Sequence, residues 1–265
     1  MEFLDKMGRQ FSRKHSVEID LSATNSMTSD AITVLVSHLK DGRFTHGRPY
    51  RGNTPANEKL KTQFTESGFF KYVMSAHKPK NPEHGSIRAR SKFKVDSRMA
   101  LELIVLATKK LYNKYVKQGS VYKTLLECMN NTWDHAAGGK AQRERWWASV
   151  YYDDEAQKAS FTFVDNGVGI FESRDPSVLH DALVKLRVKS NTEMLRKMLR
   201  KEIPSITEIP YRGRGIPSIY DCFLRGEIEN LIVITNDVYA NVKSDKFRTL
   251  NRPFRGTFFY WEVSK

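Results

Sequence analysis

The sequence predicts an α+β fold, a sandwich in which helices pack on one face of a mixed β-sheet, with a smaller α/β subdomain before it. Apolar residues recur at helical spacing in residues 97–117 and 121–136. Shorter apolar and alternating stretches, which are typical of strands, occur at 146–152, 159–164, 230–235 and 257–263. This order of helices and strands fits one helical layer on one sheet.

The N-terminal part of the chain predicts one strand and two helices. Val17–Leu21 alternates as a strand does. In the helix that follows, Ser29 or Asp30 suits the N-cap position, and the apolar residues are Ile32, Val34, Leu35 and Leu39. After a loop over residues 41–57, a second helix is predicted at Glu58–Glu66, ending near Gly68.

A change of composition predicts a domain boundary. Residues 76–91 are basic and rich in proline and glycine, which is typical of a linker or an exposed loop. From Ser97 the pattern becomes regularly helical. We therefore predict an N-terminal accessory subdomain with a basic linker at 1–95 and a main domain at 96–265.

The segment between the second and third strands of the main domain is long and polar. Residues 171–210 have helical stretches interrupted at Pro176 and Pro204. A glycine turn at 213–215 and a helix to about 224 follow.

The composition indicates a folded, basic protein. Hydrophobic residues make up 40% of the 265 residues and aromatic residues 11%, which is enough for a core. Forty-four Lys and Arg against thirty Asp and Glu give a formal net charge of +14. Such a charge favours nucleic acid, an acidic protein or nucleotide phosphates as partners. A solvated basic surface without any such partner is the alternative.

The sequence also predicts a cytoplasmic location. No stretch approaches the ~20 apolar residues of a membrane span, and the N-terminus lacks the pattern of a signal peptide. Cys128 and Cys222 lie in apolar helical patterns without metal-ligand spacing. Buried free thiols in a reducing compartment are the expected state of both.

The run Asp165-Asn166-Gly167-Val168-Gly169 directly follows a predicted buried strand. A carboxylate at a strand end can accept hydrogen bonds from an exocyclic amine. Glycines nearby let the backbone approach a flat ligand closely. The alternative is an ordinary Asp-Asn-Gly turn.

Polar residues also form a row on the helix at 121–136. Glu127, Asn131 and His135 are spaced four apart and therefore share one face. A carboxylate there can deprotonate or orient a water, and an amide oxygen one turn away can complete the shell of a Mg²⁺ ion. An exposed helix face is the alternative.

Two glycine motifs complete the set. Tyr211-Arg212-Gly213-Arg214-Gly215-Ile216 opens a predicted helix, whose N-terminal N–H groups and dipole favour phosphate, and Arg212 and Arg214 add charged donors. A plain glycine turn with solvated arginines is the alternative. Gly256-Thr257 begins the last predicted strand, where a small residue and a hydroxyl suit an adenine edge.

In this order, the motifs Glu-x-x-x-Asn, Asp-x-Gly-x-Gly, Gly-x-Gly and Gly-Thr resemble those of the GHKL superfamily, which includes gyrase, the heat-shock-90 chaperones, histidine kinases and MutL proteins. The resemblance implies a Bergerat-type α/β sandwich that binds ATP and Mg²⁺. It implies that Glu127 is the general base and that Asn131 is the Mg²⁺ ligand.

The resemblance also assigns the remaining residues. Asp165 would receive the adenine amine, Gly167 and Gly169 would line the adenine pocket, and Thr257 would back the ring. Residues 171–212 would be the mobile ATP lid. The candidates for holding the phosphates are Arg212, Gly213, Arg214 and Gly215.

The helix motif is informative about the branch of the superfamily. Glu127, Asn131 and His135 look like the motif of the anti-sigma-factor serine kinases, which makes His135 a further candidate for cofactor binding. Asp134 also supplies the Asn-x-x-Asp pattern of the gyrase and chaperone branch. The chain ends soon after the last motif, so we expect no following domain with a γ-phosphate-binding lysine and no autonomous clamp-type turnover.

The N-terminal region resembles STAS domains, the anti-sigma-antagonist fold, in Ile19-Asp20-Leu21-Ser22 and the helix after it. The second helix and turn at Asn57–Phe69 extend this resemblance, whereas the intervening strand is missing or disguised in residues 43–52. A plain accessory subdomain is the alternative.

The expected function is that of a Mg·ATP-dependent enzyme, either an ATPase or a kinase that transfers the γ-phosphate to a protein or an RNA. A toxin or defence component that acts on tRNA is one version of this. The alternative is an ATP-dependent switch that captures a protein partner with negligible turnover. A nucleic-acid binder with coincidental ATP motifs is a third hypothesis.

Overall fold

The computed structural model describes most of the chain, in eight segments: residues 2–13, 15–40, 50–73, 86–91, 95–136, 145–172, 188–202 and 215–265. Within these segments, the side chains at 90, 91, 133–136, 145 and 172 are not described.

The described residues of the N-terminal region form four helices and a small parallel sheet. The helices are α1 (Glu2–Ser12), α2 (Ser29–Lys40), α3 (Glu58–Ser67) and α4 (Phe69–Val73). Strands β1 (Val17–Ile19) and β2 (Tyr50–Gly52) run parallel, with α2 between them in the chain. Asn57 caps α3 by accepting a hydrogen bond from the N–H of Leu60, and Gly68 ends α3 in a left-handed conformation.

Helices α2 and α3 of this region agree with the sequence, whereas α1, α4 and β2 differ from it. The predicted helix at Glu58–Glu66 is confirmed, and α2 begins at Ser29 itself. Strand β2 lies in the stretch where the intervening strand was expected to be missing or disguised. The sequence did not predict α1, whose buried residues Met7 and Phe11 face the rest of the protein.

The main sheet has five strands in the order β3-β4-β5-β7-β6. Their bounds are β3 (Ile87–Ser91), β4 (Arg145–Asp153), β5 (Lys158–Asp165), β6 (Glu229–Asn241) and β7 (Lys246–Ser264). Every pair of neighbours is antiparallel. The prediction of a mixed sheet is therefore wrong for these strands. Strands β5 and β6 run in the same direction, but they are not neighbours, since β7 lies between them and opposes both.

Two strand predictions change in the structure. Residues 87–91 were part of the predicted linker, yet they form β3 and pair with β4. The last two strands are longer than the predicted 230–235 and 257–263, since β6 and β7 form one long hairpin. Thr257 therefore lies in the middle of β7 instead of at its start.

In the described part of the chain, five helices complete the main part: α5 (Ser97–Tyr112), α6 (Gly119–Ala136), α7 (Gly169–Glu172), α8 (Asn191–Leu199) and α9 (Gly215–Leu224). Helices α5, α6, α8 and α9 cover one face of the sheet and build the first core with it. In this core Phe161 stacks on Trp261 at 5.5 Å between ring centroids, and Trp146 stacks on Phe163. The two helices predicted at 97–117 and 121–136 are confirmed as α5 and α6.

The N-terminal helices cover the opposite face of the same sheet and form a second core. Trp147, Val164 and Phe258 point to this face and pack among residues of α1 to α4. Thr33 of α2 is hydrogen-bonded to Ser149 of β4 at 2.7 Å. The described helices of residues 96–265 therefore lie on one face of the sheet, as predicted, and the helices of the N-terminal region cover the other face. Strands such as β4, in which the successive residues Trp146 and Trp147 are both 1% exposed, need cover on both faces.

Other coarse predictions can also be compared with the structure. Cys128 and Cys222 are buried and free, as expected. In the described segments, no helix has both the length and the apolar content that crossing a membrane would require. The division of the chain into domains at residue 95 stays a prediction.

Candidate functional site

A row of buried polar residues crosses the sheet face that α6 covers. Asp165 is the last residue of β5, its partner on β7 is Thr257, and the partner of Thr257 on β6 is Thr235. These three side chains are 6%, 7% and 0% exposed. Residues two positions away in the same strands, such as Phe163 and Phe259, belong to the first core. Polar residues buried on an apolar sheet face are the informative feature here.

Helix α6 passes close to this row. Burial raises the pKa of the Cys128 thiol well above its usual value, and the charges of Glu127 and Asp165 raise it further. Helix α6 also contacts strand β5, which ends at Asp165. The motifs at 127–131 and 165–169, which are far apart in the chain, therefore lie in one region of the protein.

The N-terminus of α9 meets the polar row of α6. A Cβ atom added to Gly215 would lie 2.9 Å from Oδ1 of Asn131 and 3.1 Å from Oε2 of Glu127. Gly215 is the first residue of α9, where backbone N–H groups have no partner within the helix. The carboxylate and the amide predicted from the sequence are thus both placed directly beside the last glycine of the phosphate motif.

Buried polar atoms without partners mark the same interface. Asn131 Nδ2, Thr124 Oγ1 and Ser218 Oγ are buried and make no hydrogen bond to the residues that the structure describes. Thr124 lies on the stripe of α6 that also carries Glu127 and Asn131, and Ser218 lies one turn after Gly215 on α9. Unsatisfied buried polar groups in a native fold call for an explanation, and a bound water, ion or ligand is one.

The side chain of Asp165 is hydrogen-bonded to the backbone of the turn that follows it. Oδ1 of Asp165 accepts a hydrogen bond from the N–H of Gly167 at 2.8 Å. This contact fixes the orientation of the carboxylate at the end of β5. Helix α7 begins at Gly169, directly after the turn.

Gly256 allows β7 to approach this turn. Its φ is +92°, and a Cβ at this position would overlap the carbonyl oxygen of Asp165. Only glycine fits both the conformation and the contact. The Gly-Thr pair therefore has a structural role that the sequence did not predict: Gly256 lets β7 and β5 come together while Thr257 faces the first core.

Two residues of this region were missed by the sequence analysis, Thr235 and Asn236. Thr235 Oγ1 accepts a hydrogen bond from the N–H of Ile170, and Asn236 Oδ1 accepts one from the N–H of Phe171. Asn236 Nδ2 also donates to the carbonyl of Val168 at 2.8 Å. These contacts fasten α7 to β6. The signal in the sequence was the polar run Thr235-Asn236-Asp237 at the end of an apolar stretch.

Some predicted site residues cannot be compared with the structure. Arg212, Gly213 and Arg214 lie outside the described residues. For His135 only the backbone is described, within α6. The predicted phosphate motif is therefore represented by Gly215.

Helix α8 lies within the segment predicted to be the lid. Its apolar side, formed by Met194, Leu195, Met198 and Leu199, is buried in the first core. Arg196 and Arg200 each form an ion pair with Asp245 at the tip of the β6–β7 hairpin. This part of the predicted lid is thus packed against the sheet, and two of its basic residues have carboxylate partners.

The donor set of the site suits a Mg²⁺ ion bound together with phosphates. Within the described part of the chain, no group of at least three His, Cys, Asp or Glu residues could hold a metal ion. A Mg²⁺ ion of the kind that accompanies a nucleotide needs fewer protein ligands, since waters and phosphate oxygens fill its shell. Glu127 Oε2 and Asn131 Oδ1 are hard oxygen donors beside one glycine, and they fit this requirement.

Comparisons with known proteins found no match, so any assignment of function rests on the residues of the site. No protein-family model matches the chain, and neither the curated proteins nor the solved structures contain a match.

Proposed function

We propose that this protein is a GHKL-type ATP-binding enzyme with a Bergerat-type site between α6, α9 and the end of β5. The observation that carries the proposal is the contact of Glu127 and Asn131 with Gly215 at the start of α9. It supports the proposal because the residue types for phosphate, Mg²⁺ and base meet at one point although they are separated by more than 80 residues of sequence.

In this proposal the adenine ring lies against the polar row of the sheet. Asp165 accepts the hydrogen bond of the exocyclic amine, and its buried setting makes such a contact selective because an unpaired polar group there is costly. Thr257 lies beside Asp165 in the sheet and backs the ring. Gly167 and Gly169 keep the backbone of the turn close to the ring plane.

The phosphates lie at the N-terminus of α9. This helix has ten residues, so its first-turn N–H groups and its dipole favour an anion. Arg212, Gly213 and Arg214 directly precede it and extend the phosphate site. Asn131 Oδ1 is the protein ligand of the Mg²⁺ ion, which neutralises phosphate charge when bound.

Glu127 is the proposed catalytic residue. Its carboxylate orients and polarises the attacking oxygen, which belongs either to water or to a hydroxyl of a protein or RNA. Hydrolysis and phosphoryl transfer both use the Glu127 carboxylate at this position beside Gly215. The basic charge of the chain makes RNA, including tRNA as the target of a toxin or defence protein, an acceptor to be tested beside protein. We place this activity in the cytoplasm, where ATP and Mg²⁺ are both available.

The first experiment measures ATP binding by calorimetry with Mg²⁺ present. The wild type is expected to bind ATP, and Asp165→Asn to lose binding, because the amide presents an N–H₂ group or a weaker acceptor to the adenine amine. Asp154→Asn, which changes an exposed carboxylate in the β4–β5 turn, is the control and should bind as the wild type does. Tight binding by Asp165→Asn contradicts the assignment.

The second experiment follows the label of γ-labelled ATP. With purified protein it measures phosphate release, and with lysate fractions it measures label on protein or on RNA. Glu127→Gln is expected to bind ATP normally and to lose all release and transfer, whereas Glu155→Gln, an exposed control, keeps both. If the wild type binds ATP but releases and transfers no phosphate with any fraction, the protein is instead an ATP-dependent switch.

A further inference from the structure

A second cavity lies on the opposite face of the sheet from Glu127. Its volume is about 570 Å³, within the ~300–1,000 Å³ typical of small-molecule sites. Its floor includes Ile232, Ile234 and Phe258, which alternate along β6 and β7 with residues of the first core. Helices α1 and α2 form its wall, through Leu4 and Val34 among others. The cavity is therefore separated from the proposed ATP site by the thickness of the sheet.

The charge of this cavity is opposite to that of the protein. Its lining includes the carboxylates of Asp30 and Glu262 and, among the residues that the structure describes, no lysine or arginine. The chain as a whole has 44 basic residues and a net charge of +14. A phosphate or carboxylate ligand would find no cation in this lining, whereas a positively charged ligand would find two anions.

Glu262 is fixed in place by its neighbours. The hydroxyl of Tyr260 donates to Oε1 at 2.7 Å, and Asn230 and Lys158 donate to Oε2. Burial alone would raise the pKa of Glu262, but these three hydrogen bonds outweigh it and hold the pKa below its usual value. The carboxylate therefore stays ionised, and its charge is partly neutralised by Lys158.

Asp30 is the second carboxylate of the cavity and supplies the negative charge that Lys158 does not neutralise. It lies in the first turn of α2 and is half-buried at the cavity, and no ion pair to it is found among the described residues. The pKa of the Tyr260 phenol is raised mainly by burial and by Glu262, and the charge of Asp30 raises it further. Asp30 therefore acts on Tyr260 across the cavity. Asp30 lines the cavity together with Tyr260, so its charge is available to a group bound there.

The aromatic residues add a second attraction for a cation. Phe254, Phe258 and Tyr260 line the cavity. Tyr239 lines it as well, but its ring already faces the guanidinium of Arg248 at 4.5 Å. An ammonium group near an aromatic face is stabilised by about 0.5–2 kcal/mol, and an apolar body gains from burial against the aliphatic floor. Apolar walls with a few polar groups are the usual form of a small-molecule site.

We propose that this cavity binds a small organic cation, a protonated amine attached to an aromatic or apolar body, with the ammonium group at Asp30 and the body against β6 and β7. The site does not depend on ATP binding, because none of its residues belongs to the proposed ATP site.

The test uses three probes of similar shape with the full-length protein: phenethylamine, phenethyl alcohol and hydrocinnamate. Binding is measured by ligand-observed NMR and calorimetry. Phenethylamine is expected to bind about tenfold more tightly than the alcohol, and hydrocinnamate to show no binding. Equal affinity for amine and alcohol, or no binding of the amine at millimolar concentration, overturns the proposal.

Variants locate the binding. Asp30→Asn should reduce phenethylamine affinity to that of the alcohol, and Val34→Phe, which fills the cavity from a half-buried position, should abolish the binding of both. Circular dichroism shows whether each variant is folded. Asp154→Asn is the charge control.

Asp165→Asn should lose ATP binding and keep phenethylamine binding, so failure of the ATP site and failure of this cavity are distinguished. Unchanged amine binding by folded Asp30→Asn contradicts the proposal.

Discussion

At Gly215 the place of a side chain is already occupied by the ends of Asn131 and Glu127. Alanine at this position should therefore push the amide and the carboxylate apart and weaken ATP binding by about tenfold or more, which corresponds to about 1.4 kcal/mol. Stability should change little, because alanine is favoured over glycine in a helix by about 0.5–1 kcal/mol. Calorimetry with Mg·ATP measures the first effect and urea unfolding the second.

Gly119→Ala is the matched control for this substitution. Gly119 is also the first residue of a helix, α6, and within the described structure no atom lies within 4 Å of its added Cβ. ATP affinity should be unchanged in this variant. Equal affinities of the two variants would contradict the role of the Gly215 contact.

His38 makes stability depend on pH. Burial lowers its pKa to about 4, against the opposing effect of the Val34 carbonyl, while the unfolded chain has the usual value of 6.5. Below about pH 6.5 the unfolded state binds the proton first, so the free energy of unfolding should fall as pH decreases toward about 4. The loss attributable to His38 is at most about 3 kcal/mol.

The measurement is urea unfolding at about pH 7 and about pH 5, compared between the wild type and His38→Gln. The difference between the two pH values should be smaller in this variant, because glutamine does not titrate. His15→Gln, on an exposed histidine that contacts Gln10, should keep the dependence of the wild type. A wild-type slope in His38→Gln contradicts the assignment.

At the scale of elements, Asn236 makes more of the hydrogen bonds that hold α7 to the sheet than Thr235 does. Asn236 accepts from Phe171 N and donates to the Val168 carbonyl, and it packs against Gly169. Asn236→Ala leaves both backbone groups unpaired, which should cost about 1–3 kcal/mol of stability each. The Asp165 turn is attached to α7, so ATP affinity should fall as well. Urea unfolding and calorimetry measure the two effects.

Asn113→Ala provides the reference for the backbone. Asn113 and Asn236 both have positive φ values, 55° and 49°, so each substitution adds a similar conformational cost. Asn113 is exposed at the end of α5. Only the excess loss in Asn236→Ala measures the hydrogen bonds, and no excess would contradict their role.

Helix α8 limits what a lid can do. A closing motion that carried α8 would separate four buried side chains from the first core, at about 1.5–3 kcal/mol each. It would also break the ion pairs with Asp245. The sequence predicted helical stretches in residues 171–210, and α8 confirms one of them, but only the tertiary contacts show that its apolar side covers the sheet.

At the scale of the whole molecule, both cores share one sheet. We expect the chain to unfold in a single transition, because each strand between the cores is buried by both. Ile32→Val in the second core and Ile219→Val in the first each remove one methyl group from a residue with 0% exposure. Each should cost about 1 kcal/mol and lower the same Tm by about 2–4 °C.

Circular dichroism and tryptophan fluorescence measure this transition with independent probes. Coincident curves in the wild type and in both variants support one cooperative unit. Two transitions, with Ile32→Val shifting only one of them, would instead support an N-terminal subdomain at 1–95 that folds by itself.

The local pattern predicted many elements because it depends on local physics. Periodic apolar spacing predicted α5 and α6, and the glycine turn at 213–215 predicted the start of α9. It did not predict β3, because a short basic segment becomes a strand only by pairing with β4. It also missed α1, although Leu4, Met7 and Phe11 recur there at helical spacing and are packed in the second core.

By itself, the sequence determined which residue types occur at which spacing: Glu127 four residues before Asn131, and a strand that ends at Asp165. Those features follow from helical and strand periods, which are local. Only the tertiary structure decided that α9 begins against Glu127 and Asn131, that Asp165, Thr257 and Thr235 form one row, and that the sheet is antiparallel and covered on both faces. These depend on contacts between distant parts of the chain, and such contacts are fixed by the packing of whole layers rather than by the period of any one segment.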